Sequence, residues 1–469
     1  MRCAAACSNG AKSMARLKIR SNPKMMTKSL GRLSTILLSV MMLAACDTVG
    51  DFFEDEETPP LEGERLSVLQ LERQLEPDPE LGQLAVSLPS AFTNSEWPQA
   101  GGYPDHNMGH LSLGQGLEVK WRADVGTGSS RAVRLVAQPI VADGRVYTLD
   151  AEAELSAFDL STGRRLWNVE TRLDDEDDDV LTGGIGMAEG RIFVTTGYAT
   201  VAAFEAETGS ELWRQRLSAP SRAAPTISQG RVFVITVDNR LIAHDAATGT
   251  VVWDHGGLIE AAGLLGAASP ATDGSVVVSG YSSGEIHGLR IENGASVWQD
   301  SLAPVRRLGM MASLADIEAM PVIDEDVVYA IGHAKRFLAI DLRNGTRRWQ
   351  RNIGSTSTPV VAGDFLFVLS NENELVAMTR RDGRILWVVA LPRYEDEEDR
   401  EDPIVWTSPV LAGGRLILAG SDETVLEIDP SNGDVLTEWE SRNPVIIDPV
   451  VVDNTLLLLD ESGTLTAYQ

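Results

Sequence analysis

The sequence predicts an all-β fold: an eight-bladed β-propeller of four-stranded antiparallel blades, closed by pairing of N-terminal and C-terminal strands. Three observations predict it. A unit of about 44 residues repeats from residue 117 to residue 469. Seven copies close on a tryptophan, and an eighth breaks off before its own. The strand missing from that last copy is available at the other end, in Leu117 to Arg122 around Trp121.

Pro139 to Trp167 sets the pattern. An apolar opening, Pro139-Ile140-Val141, leads to a turn at Asp143-Gly144, to runs at Arg145–Asp150 and Leu155–Asp159, to Thr162-Gly163, and to Leu166-Trp167. The order recurs at Gly184 to Trp213, Pro225 to Trp253, Pro270 to Trp298, Pro321 to Trp349, Pro359 to Trp387 and Pro409 to Trp439, and begins again at Pro449. Runs such as Arg231 to Thr236 suit strands. Asn293-Gly294, Asn344-Gly345 and Asn432-Gly433 suit tight hairpins, because both residues tolerate positive φ. A four-stranded sheet is too small to bury both faces alone, so the copies must stack, and a ring removes the exposed ends. Eight of the ten tryptophans (Trp121, Trp167, Trp213, Trp253, Trp298, Trp349, Trp387 and Trp439) are expected at one fixed place per sheet, filling the wedge between neighbours.

Ahead of the ring, residues 1–46 hold eight basic residues and no acidic one, followed from Leu33 to Ala45 by an apolar run of signal-peptide length. The run ends in Leu43-Ala44-Ala45-Cys46. That ending resembles the lipobox of bacterial lipoproteins, which implies cleavage before Cys46 and acylation of its thiol; an ordinary signal peptide with an incidental cysteine is the alternative. Two or three acyl chains at about 0.8 kcal/mol per buried methylene hold a soluble domain at a membrane. Asp47 resembles the residue that retains enteric lipoproteins in the inner membrane. Residues 47–116 read as an acidic tether and lead-in: a solvated spacer at Asp51 to Pro60, a short helix at Leu61 to Leu75 stopped by Pro77 and Pro79, then Trp97-Pro98-Gln99 with His106 and His110 nearby as packing or surface residues.

The whole chain carries 40 Lys and Arg against 68 Asp and Glu. Beyond residue 46 the balance is 32 to 68, or −36. Such a surface repels phosphate backbones and anionic headgroups, which excludes nucleic-acid binding as the purpose of the ring. The acidic runs Asp174–Asp179 and Glu395–Asp402 lack the glycine-punctuated spacing of a calcium loop and read as solvated loops. Cys3 and Cys7 fall within the signal, so no cysteine follows Cys46.

The blade ending Ala157-Phe158-Asp159 to Trp167 resembles the PQQ-like repeat, over all eight blades. Fold resemblance does not fix function. One branch of that superfamily, the quinoprotein dehydrogenases, implies PQQ over a metal ion beside a vicinal disulfide, and the disulfide is impossible here. Lipobox, tether and propeller together resemble the BamB family of outer-membrane assembly lipoproteins. That resemblance implies a scaffold without covalent chemistry or cofactor, lipid-anchored at the periplasmic face of the outer membrane. It implies docking on the POTRA domains of BamA and assistance to the folding of barrel clients. It also implies a docking surface on inter-blade loops, matched here by Leu264 and Leu265 ahead of Pro270, and by Asp316 and Glu318 ahead of Pro321, with Met310 and Met311 as further apolar anchors. Leu265 stands where the family has an arginine. A propeller binding a different envelope protein or a polysaccharide remains a third reading.

Overall fold

The computed structural model describes residues 75–82, 84–173, 180–181, 183–258, 267–303 and 316–469, all within the unit Gln74–Gln469. Cys46 and the signal, the spacer at 51–60, the helix read at 61–75 except its last residue, the acidic run 174–179, and Leu264, Leu265, Met310 and Met311 lie outside the described residues.

Eight four-stranded antiparallel sheets form the ring. Blade 1 consists of Ile140–Ala142, Arg145–Leu149, Glu154–Asp159 and Arg165–Glu170, and its burial falls from the first strand, wholly buried, to the fourth, half in solvent. This gradient explains the sequence pattern. Inner and middle strands are apolar on both faces because neighbouring blades cover them, whereas the outer strand alternates. Blade 8 is built from both ends of the ring: Val450–Val452, Thr455–Leu459 and Thr464–Tyr468, with Val119–Asp124 as its outer strand. The register pairs Trp121 with Ala467 and Asp124 with Thr464, so the closure follows the sequence expectation.

The seams between blades share one device. In blades 1 to 6 and in blade 8 the tryptophan lies opposite a small residue of the third strand, as Ala157 faces Trp167, Gly288 faces Trp298 and Ala467 faces Trp121, just before a bulge. Its ring then covers the glycine turn of the next blade. A β-carbon at Gly249 would lie 2.5 Å from the Trp213 ring, and one at Gly163 2.5 Å from Trp121. Both glycines have positive φ, so the turn demands glycine twice over. Except at Trp167, the indole N–H completes the seam: Trp121 donates to the Leu160 carbonyl at 2.9 Å, Trp213 to Ala246 at 3.1 Å and Trp298 to Leu342 at 2.7 Å.

Trp439 departs from this scheme and corrects the expectation of one fixed place. In blade 7 the position opposite the third strand, just before the bulge, is held by Thr437, facing Glu427, and Trp439 sits two residues further on, opposite Val425. The topology supplies the reason. The outer two strands of blade 8 come from opposite ends of the ring, so no tight glycine turn joins them to receive a tryptophan from blade 7. Trp439 packs instead on Tyr468, with centroids 4.9 Å apart, and donates to Glu427 at 3.2 Å. Glu427 is buried against Arg415 at 2.5 Å, and Arg415 donates to the Gly114 carbonyl at 2.7 Å.

Gly114 belongs to the lead-in, which is stitched into the ring. Asp78 takes a guanidinium hydrogen bond from Arg384 at 2.7 Å, and its N–H donates to Ile385 in the outer strand of blade 6. From there the chain crosses to the ring's inside. Trp97 pairs with Val141 of blade 1, Pro98 accepts from Met187 of blade 2, and Gln99 bonds both ways with Ile227 of blade 3. Pro104 and Asp105 accept from Thr272 and Ile323 of blades 4 and 5, Leu111 pairs with blade 7, and Asn94 accepts from Asp453 of blade 8. The boundary read at 116/117 therefore divides the sequence pattern and not the folded body.

Candidate functional site

The residue at or just before each blade opening reaches the ring axis. Gln138, Gly184, Ala224, Ser269, Met320, Thr358, Ser408 and Asp448 line an axial cavity, whose wider part is about 270 Å³. Their polar groups are largely spent on one another. The Met320 N–H donates to the Thr358 hydroxyl at 3.2 Å, the Thr358 N–H to the Ser408 hydroxyl at 3.0 Å, and the Ser408 N–H to Asp448 at 2.7 Å. Gln138 then donates to the Asp448 carbonyl at 3.1 Å. The chain of bonds fastens blades 5, 6, 7, 8 and 1 around the axis. Burial pushes the Asp448 carboxyl above its ordinary range, and the Ser408 donor only partly offsets this.

One end of the cavity is closed by the lead-in. His106 is buried there, donating from Nδ1 to the Pro321 carbonyl at 2.9 Å, and burial lowers its imidazole to about 4. His110 donates to Pro89 and accepts from the Gly414 N–H. Both histidines are packing residues of the plug. Among the described residues no group of three or more His, Cys, Asp or Glu is placed to hold a metal ion.

The two faces of the ring differ. On the plugged face the turns are short: two or three residues between first and second strands, and five or six between third and fourth. The other face carries the described parts of the connections between blades, at 171–173 with 183–184, 257–258 with 267–270, 302–303 with 316–321, and 391–409 among others, together with the middle hairpin turns. Hydrogen bonds tie the two sets together there, as Gly257 N–H to Asn239 and Leu391 N–H to Asn373. The connection after blade 6 contains an added hairpin, Tyr394–Asp396 with Glu401–Pro403, which exposes the second acidic run.

The described docking candidates lie on this face. Asp316 is 3% exposed and accepts through its carbonyl from the His333 N–H at 3.1 Å, so it shapes the connection from within. Ile317 is buried against Gly280 of blade 4. Glu318, half-buried, lines the cavity mouth together with Arg222. Sequence reasoning missed Arg222 and Asp448, although their positions shortly before an opening proline were a readable signal.

The family described as outer membrane protein assembly factor BamB matches residues 116–176 and 175–389. The outer membrane protein assembly factor BamB of Alkalilimnicola ehrlichii is 37% identical over 365 residues, covering 77% of this chain and 91% of that one. The chain belongs to the BamB family. Among solved structures, BamB from Moraxella catarrhalis superposes with a TM-score of 0.64 at 21% identity, over 75% of this chain and 99% of that one. Quinohemoprotein alcohol dehydrogenase from Comamonas testosteroni reaches 0.62 at 14% identity, over 81% of each chain. Both structures share the fold. BamB relatives are named for assembly and not for catalysis, and the dehydrogenase reading gives way to theirs.

Proposed function

We propose that this protein is a non-enzymatic scaffold lipoprotein of outer-membrane protein assembly. In this reading Cys46 anchors it at the periplasmic face of the outer membrane, and the face bearing the blade connections docks on the POTRA domains of BamA to assist folding of barrel clients. The observation that carries it is the asymmetry of the ring. Short turns and the lead-in occupy one face, and the described parts of the long connections lie on the other, where variable length leaves the scaffold intact. Axial polar groups engaged in fastening blades support a structural axis over a cofactor site.

Glu318 and the apolar pair Leu264 and Leu265 are the proposed contacts, with Asp316 shaping the connection that carries Glu318. Glu318→Arg combined with Leu264→Arg is expected to abolish recovery of BamA in pull-downs from detergent-solubilised envelopes, with an unchanged circular dichroism spectrum. Wild-type recovery by that double variant removes this surface from the reading. Cys46→Ser is expected to move the protein from the membrane to the soluble fraction.

A further inference from the structure

Four side chains outside the axial cavity meet at the seam between blades 3 and 4, on the rim of the connection-bearing face. His255, in the outer strand of blade 3, places Nε2 2.9 Å from Nδ1 of His287 in the third strand of blade 4. His287 turns its Nε2 toward Glu285, 3.8 Å away, and the buried Tyr281 ring stands edge-on at 5.0 Å. The other oxygen of Glu285 accepts from the Leu258 N–H at 2.7 Å and from the Ser283 hydroxyl at 2.9 Å. A β-carbon at Gly257 would lie 2.9 Å from Tyr281, so the chain just before Leu258 is seated directly on the cluster. Leu258 itself is 64% exposed.

Only one proton fits between two nitrogens 2.9 Å apart. With both rings neutral, His287 keeps its proton on Nε2 toward Glu285 and accepts from His255. A first added proton is accommodated on Nδ1 of His255, near Asp254, which is paired with Arg240. A second must go to Nδ1 of His287, where it opposes the N–H of His255 and breaks their bond. The imidazolium so formed attracts Glu285 away from the Leu258 amide.

We propose that His255, His287 and Glu285 form a proton-operated latch that holds Leu258 in place at neutral pH and releases it in acid. The inference rests on the proposed docking role of this face for its consequence, which is that partner engagement weakens on acidification. Burial holds both imidazoles below their ordinary range, and for His287 the neighbouring His255 adds to this while Glu285 opposes it. Release therefore falls on the acid side of the usual imidazole titration.

The test is amide hydrogen exchange on the whole protein in detergent at pH 7.5, 6.5 and 5.0, each rate referred to its intrinsic value. Protection at Leu258 is expected to fall at least tenfold across the series while that of Val234, in the core of blade 3, holds. His287→Gln is expected to make Leu258 protection independent of pH. His255→Gln, which keeps a donor toward His287, is expected to shift the transition and preserve the fold. Constant protection at Leu258 in the wild type, or an equal fall in His287→Gln, overturns the latch. Capture of BamA at the same pH values separates the two ideas. Release of Leu258 with undiminished capture leaves the latch standing and takes this rim out of the docking face.

Discussion

At the seam between blades 2 and 3, Trp213 lies over Gly249 and donates to the Ala246 carbonyl. At the seam between blades 7 and 8, Trp439 stands two residues out of place, meets Tyr468, and draws on a buried Glu427–Arg415 pair that reaches the lead-in at Gly114. The first arrangement needs only the repeat. It holds one aromatic ring, roughly 150–250 Å² of surface, against a turn that the next copy always provides. The second cannot use the repeat, because ring closure leaves blade 8 without that turn. Closing a ring by strand exchange thus protects the ends of the stack but spoils one seam, and a buried ion pair within blade 7, bonded to the lead-in at Gly114, substitutes for what is lost.

The largest expected effect comes from undoing the closure. Removing residues 449–469 takes three of the four strands of blade 8 and is expected to abolish cooperative unfolding in calorimetry; a sharp transition near the parent temperature refutes the closing role. Next comes the ion pair. Glu427→Ala strands a buried guanidinium and is expected to cost about 3–5 kcal/mol in urea unfolding. Adding Arg415→Met should recover much of that loss; if the two losses simply add, the pair is not the link between Trp439 and the lead-in.

Acid probes the lead-in. Folding lowers the proton affinity of His106 from its ordinary 6.5 to about 4, so the unfolded chain takes up the proton first. Stability should be fully present above pH 6.5 and fall as the pH drops toward 4, by about 3 kcal/mol from this group. In His106→Gln that component of the slope should vanish from the pH series. The smallest effect tests an ordinary seam. Gly249→Ala is expected to cost about 1–3 kcal/mol through ring contact and left-handed backbone together. Gly230→Ala, with similar φ and nothing within 4 Å, should cost less; equal losses in thermal melts mean that the tryptophan contact contributes nothing.

The ring was legible because apolar alternation and glycine turns recur with a fixed period, and the strand around Trp121 was legible because the last copy lacks one. Trp439 misled because it ends its copy as the others do, although it lies ten residues beyond Asp429 where Trp167 lies eight beyond Asp159. The lead-in was hidden for a physical reason: it joins each blade by a few single hydrogen bonds, main-chain in most blades and through the Gln99 side chain in blade 3, and so has no period of its own. Asp316 reads as a solvated loop carboxylate, and the tertiary fold buries it in the connection into blade 5. The His255–His287 contact pairs residues from neighbouring blades, a relation that a repeat within one blade does not encode.

The clasp of Arg384 on Asp78 sets a load path. Among the described residues, a pull at the start of the lead-in is met at the outer strand of blade 6, through a guanidinium gripping Asp78 and Glu80 and a main-chain bond to Ile385. Mechanical strain is thereby borne a quarter-turn around the circumference from blade 8, so that a protein held through Cys46, as proposed, can be tugged without unpicking the one joint that no covalent turn secures.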